Sequence, residues 1–179
     1  MATSMSPLRP RTEEQAEQAP SALPAAVAAA LEDPEQVRLA RAILGTASTE
    51  DIVARVEGYC RIHLGRGVLG CHELTQSVGS VFALRLDDGQ DVVLKLHPLG
   101  RSRTGLPNTL EHLGAVYSVQ AELAAQGLPC ARVLRPPVWW EGGGAVAMER
   151  LDTAGDDPQS PAVRQAMAES LADFVHRAE

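Results

Sequence analysis

A single lysine, Lys95, occurs among 179 residues that otherwise write every basic position as arginine. It sits in Asp91-Val92-Val93-Leu94-Lys95-Leu96-His97, a stretch otherwise rich in aliphatic residues. An ammonium group in such a place is costly unless an anion meets it. Lys95 therefore reads as a phosphate anchor. The plainer alternative is an edge-strand lysine whose flexible stem carries its charge out to water. The chain's avoidance of lysine elsewhere and the order of strands around Lys95 favour the anchor. Other chemistry-bearing residues carry less. His72-Glu73 lacks the second histidine of a zinc-protease helix and falls in a strand pattern. Cys60, Cys71 and Cys130 form no Cys-x-x-Cys pair and read as small buried hydrophobes. Trp139 and Trp140 point to opposite faces of a strand, one to a core and one to the surface. Asp156-Asp157 reads as a solvated linker.

The elements that must position these residues can be read from periodicity. Residues 1–22 mix Pro, Ser, Glu and Gln with almost no aliphatic residue and read as a disordered tail. Residues 23–66 read as N-terminal helices, with a break at Asp33-Pro34, a stop at Gly45, an N-cap at Ser48 and an end near Gly65. The period changes at Gly70. Cys71–Val78, Val81–Leu86 and Gln90–Leu96 read as strands, the last two joined by the hairpin signal Asp88-Gly89. Asn108 reads as the cap of a helix with its apolar face on Leu110, Leu113, Val116, Val119 and Leu123. Val133–Trp140 and Gly144–Leu151 read as two more strands around a glycine-rich turn. A last helix carries Val163, Met167, Leu171 and Phe174 or Val175 on one face.

The series from Leu86-Asp87-Asp88-Gly89 through Val92-Val93-Leu94-Lys95, Gly127-Leu128-Pro129-Cys130 and Met148-Glu149-Arg150-Leu151 resembles the N-terminal lobe of the aminoglycoside phosphotransferase-like kinases. The resemblance covers roughly residues 68–178, and residues 49–66 resemble the helix that precedes that lobe. It implies an α+β fold: one five-stranded antiparallel sheet with one packed helix, preceded by N-terminal helices. Residues 67–155 would form the kinase-like lobe, and 156–179 a linker and the first helix towards a C-terminal lobe. Strand and helix residues are expected to meet in one core.

By the same resemblance the ligand is ATP or a related nucleotide. Lys95 would contact its phosphates and Val93 would cover the adenine. Gln76, Ser77, Val78, Gly79 and Ser80 would form the turn over the phosphates, and Met148, Glu149 and Leu151 would border the adenine edge. Kinases hold this lysine with a helix glutamate, but here that register falls on Val116, with Gln120 one turn later. Gln120 would orient the ammonium without neutralising it, and a shifted register would bring in Glu111.

Phosphoryl transfer also needs a proton-accepting aspartate and metal-binding residues, which the family carries in a His-Gly-Asp segment and a later metal-ligand segment. The five histidines precede Leu64, Glu73, Pro98, Leu113 and Arg177, so no His-Gly-Asp occurs. The resemblance thus implies a nucleotide-binding lobe, inactive alone, with Mg²⁺ bound only when a C-terminal lobe is supplied. The last helix, within residues 160–179, is expected to meet that lobe or to self-associate. A non-catalytic interaction module on the same fold is the alternative. A net charge of -7 argues against nucleic acid and anionic lipid as general partners. The longest apolar run, Ala25–Leu31, is too short to span a membrane, and the cysteine usage points to a cytoplasmic protein.

Overall fold

Short polar side chains start three of the helices. Asp33 accepts a hydrogen bond from Glu35 N, Ser48 from Asp51 N and Thr109 from His112 N, each satisfying a backbone donor that the first helical turn leaves unpaired. The computed structural model describes residues 22–101, 107–128, 130–151 and 161–178. Helices α1 (Leu23–Ala30), α2 (Pro34–Leu44) and α3 (Thr49–Tyr59) come first, α3 running on as a π-turn over Cys60–Leu64. Gly45 and Gly65 end these segments at φ +71° and +69°, a conformation that glycine enters without a Cβ penalty.

Strands β1 (Val68–Gln76), β2 (Ser80–Leu86) and β3 (Asp91–Pro98) follow as an antiparallel meander. A small ribbon, β4 (Gly100–Arg101) with β5 (Pro107–Asn108), leads to α4 (Leu110–Ala125). Strands β6 (Val133–Trp140) and β7 (Gly143–Glu149) then complete a five-stranded antiparallel sheet in the order β1-β2-β3-β7-β6, and α5 (Pro161–Ala178) is the last element. The architecture is α+β, with five α-helices among the described residues. None of those helices is long and apolar enough to cross a membrane. The expected tail over residues 1–22 (all but its last residue) and the linker at Asp156-Asp157 lie outside the described residues, as do the side chains of Val163, Met167 and Phe174.

Alternation along the strands sends successive side chains to opposite faces, and the two faces build separate cores. Phe82, Leu84, Leu86, Val92, Leu94, Ala145 and Ala147 pack with Val27, Ile52, Val56 and Tyr59 of the N-terminal helices. Val146 and Met148 pack with Leu113 and Tyr117 of α4. The expectation of one core is therefore corrected: the larger one belongs to helices α1–α3. The face assigned to α4 is corrected as well. Val116 and Val119 are 47% and 54% exposed, while Leu113, Tyr117 and half-buried Gln120 face the sheet. Tyr117 and Gln120 turn inward because their polar tips find partners there, the Tyr117 hydroxyl with His97 Nε2 at 2.9 Å and Gln120 Nε2 with the Ala131 carbonyl at 2.6 Å. Thr109, not Asn108, is the N-cap of α4; the Asn108 amide instead donates to the Pro98 carbonyl. Trp139 is exposed, and Trp140 packs edge-on to Tyr59 and donates through Nε1 to the Arg55 carbonyl.

Candidate functional site

Residues 91, 93 and 95 of β3 share the face away from the larger core. The register sets Lys95 between Val81 of β2 and Val146 of β7, and Val93 between Ala83 and Met148. These residues, with Glu73, Thr75, Ala131 and Glu149–Leu151, line an open cleft of about 300 Å³. Lys95, Val93, Met148, Glu149 and Leu151 are thus brought together in one concavity. Its floor is apolar, which is the composition a flat aromatic ligand requires.

Lys95 is half-buried, and its side chain makes no hydrogen bond or ion pair with any described residue. Its helix partner is missing for a structural reason. Val116 points away from the sheet, and Glu111 and Glu122 are exposed. Gln120 gives its amide N–H groups to Ala131 O and, at 3.3 Å, to the sulfur of Met148, so it does not orient the ammonium. Tyr117 is the inward residue of the α4 turn that holds Val116, and it is tied to His97. Burial, reinforced by the charge of Lys95, holds His97 below the usual histidine range. A carboxylate is replaced here by a neutral pair, leaving the ammonium charge uncompensated.

Gly79 and Ser80 stand apart from the cleft floor. A Cβ on Gly79 would lie 2.7 Å from the Leu96 carbonyl, so glycine is required there for the turn to approach β3. Ser80 is fully buried on the other face and its hydroxyl accepts from Gln76 Nε2 at 3.2 Å. Neither residue lines the cleft. Ser77 and Val78 form the exposed tip of the turn.

The sequence pattern did not single out the ionic cluster at the other end of the same face. Asp91 accepts from His72 Nε2 at 2.9 Å, from Arg85 through Nε and, at 2.9 Å, Nη2, and from Arg150 Nη1 at 3.5 Å. Its backbone carbonyl also accepts from Arg150 N at 3.3 Å. Burial alone would raise the Asp91 carboxyl, but the hydrogen bonds of Arg85 and His72 hold it below the usual aspartate range. One carboxylate thereby ties β1, β2 and β3 to the segment that closes the cleft. The available signal was the period-two placement of Asp91 on the face of Val93 and Lys95.

Among the described residues no three His, Cys, Asp or Glu side chains gather as a metal site. Burial pushes the Cys60 thiol up to about 12, so it is an inert core residue. Compared with family models, curated proteins and solved structures, the chain matches none. The assignment of a role therefore rests on the geometry of the cleft and on the motif series itself.

Proposed function

We propose that the cleft binds a purine nucleoside triphosphate, ATP in the kinase family that the motif series resembles, and that the chain acts as the nucleotide-binding lobe of a small-molecule phosphotransferase. The observation that carries this reading is the uncompensated ammonium of Lys95 at the end of an apolar floor formed by Val81, Ala83, Val93 and Met148. Phosphate oxygens supply the missing counter-charge, and the floor takes the base. Glu149 to Leu151 border that floor, beside the edge of the base. The His-Gly-Asp segment of that family does not occur in the sequence, so transfer to an acceptor hydroxyl depends on a second lobe that brings the base and the metal ligands. The chain alone holds the nucleotide without catalysing transfer.

Calorimetric titration of ATP into the chain and into Lys95→Ala tests the reading. Binding in the high micromolar range or weaker is expected, as a rough figure for half a kinase site, and it is lost in the variant. Equal binding by both forms removes Lys95 from the site. A second reading, a non-catalytic interaction module, is favoured by the outward apolar pair Val116 and Val119 on α4. Loss of self-association or of partner binding in Val116→Ser/Val119→Ser, with no nucleotide bound by the parent chain, would support that reading over the first.

A further inference from the structure

Away from Lys95, the cleft ends at Arg150, with the carboxylates of Glu73 and Glu149 on the lining beside it. The Asp91 carboxylate is engaged by Arg85 through two nitrogens and by His72 at 2.9 Å. Arg150 reaches it only at 3.5 Å, through Nη1, and its side chain is 33% exposed along the cleft lining. A guanidinium carries five N–H donors and no acceptor. The nearby backbone is also occupied: Glu149 N donates to Arg132 O at 2.9 Å and Arg150 N to Asp91 O at 3.3 Å. The Glu149 carboxylate is drawn to Arg132 at 3.5 Å, and the Glu73 carboxylate accepts from Thr75 Oγ1 at 2.8 Å.

We infer that this end of the cleft selects a purine with a carbonyl at C6, so that guanine and hypoxanthine nucleotides bind in preference to adenine nucleotides. The inference rests on the proposed reading of the cleft as a nucleotide site with its base over Val93 and Met148. Guanine presents O6 and N7 as adjacent acceptors, which a guanidinium meets with two parallel N–H bonds; adenine places the N6 donor where O6 would be. A donor set against a donor leaves both groups unpaired, which costs more than a missing bond between two exposed partners. Arg150 touches Asp91 through Nη1 at 3.5 Å and has further N–H donors to turn to this contact, while Arg85 and His72 also hold Asp91.

Titration of the full chain with GTP, ITP and ATP, followed by NMR, measures the preference. GTP and ITP are expected to bind about tenfold tighter than ATP, near the low end for a bidentate arginine–guanine pair because the cleft is open. Arg150→Ala brings the ratio to about one. Arg150→Gln shifts it towards ATP, since an amide offers the donor and acceptor that adenine N7 and N6 require. Lys95→Ala weakens all three alike through the shared phosphates. Wild-type binding of ATP as tight as GTP, or a ratio unchanged in Arg150→Ala, overturns the inference; the nucleotide reading survives either result if Lys95→Ala still weakens binding. No binding by any of the three, or binding indifferent to Lys95→Ala, overturns the nucleotide reading and the base preference with it.

Discussion

The same strands supply both faces of the sheet, yet the faces have been put to different uses. On one, Phe82, Leu84, Leu86, Val92 and Leu94 are at most 1% exposed under helices α1–α3. That face is nearly free of charge; in its polar pair Gln76 Nε2 donates to Ser80 Oγ, while Gln76 Oε1 is left without a partner among the described residues. On the other, the same strands present Glu73, Arg85, Asp91 and Lys95, with α4 burying Val146 and Met148 and Val93 and Val133 packed beside them. Three helices dry out the first face, whereas a single helix leaves the second open over β1 and β2. Core packing and the lining of the cleft are therefore separable: a residue's parity along the strand decides which of the two it serves.

The separation predicts its largest effect on the helix-covered face. Phe82→Ala removes a fully buried ring and should cost about 3–5 kcal/mol. Val93→Ala, half-buried on the cleft face, should cost roughly 1 kcal/mol. Urea denaturation of the two variants compares the faces directly. Equal losses would mean that the cleft face carries as much of the fold as the helical one.

Gly79→Ala probes the turn that joins the faces. Its Cβ would meet the Leu96 carbonyl at 2.7 Å, so β2 or β3 must shift, at about 1–3 kcal/mol. A variant as stable as the parent would show that the turn is not pressed against β3. Asp91→Asn comes next, at roughly 1–2 kcal/mol for a carboxylate whose side chain is 22% exposed. Its sign with pH follows from the depressed folded pKa. The contribution is present in full above the ordinary aspartate value of 3.8 and is lost as pH falls from there through the folded value. The stability difference between parent and Asp91→Asn should therefore shrink as the solution is acidified below that range, and a constant difference would show that the carboxylate charge is not what holds the cluster.

How much of this was legible in the chain depended on whether the signal was local. The break at Asp33-Pro34, the cap at Ser48, the stop at Gly45 and the strand around Lys95 follow from residues within one turn or one strand, and the structure agrees with each. Register was harder. Reading Asp88-Gly89 as a two-residue turn places Leu86 opposite Asp91. The loop instead takes three residues, with Leu86 N donating to Gln90 O and Gly89 at φ +83°, and this sets Arg85 against Asp91. The ionic cluster was hidden for that reason. The face of α4 was misread because aliphatic spacing favours Val116 and Val119, while burial of Tyr117 depends on His97, twenty residues earlier. Similarly, nothing local to the N-terminal helices says that they cover a sheet formed later in the chain.

The smallest effect is expected where the chemistry is sharpest. The Lys95 ammonium has no hydrogen-bond or ion-pair partner among the described residues, so deleting its charge breaks no polar side-chain contact of the folded chain. The residue is half-buried between Val81 and Val146, and the charge at its tip has no return from pairing within the fold. Lys95→Met keeps the length and apolar stem while deleting the charge, and should leave stability within about 0.5 kcal/mol of the parent or raise it slightly. His97 supplies an independent reading of the same charge. With the Lys95 charge removed, the pKa of His97 should rise towards the usual histidine value, although its burial still holds it low. NMR titration of the His97 ring in both forms measures that rise. A variant destabilised by more than about 1 kcal/mol, or an unmoved His97, would mean that the ammonium is engaged within the fold and is not held open for a ligand's charge.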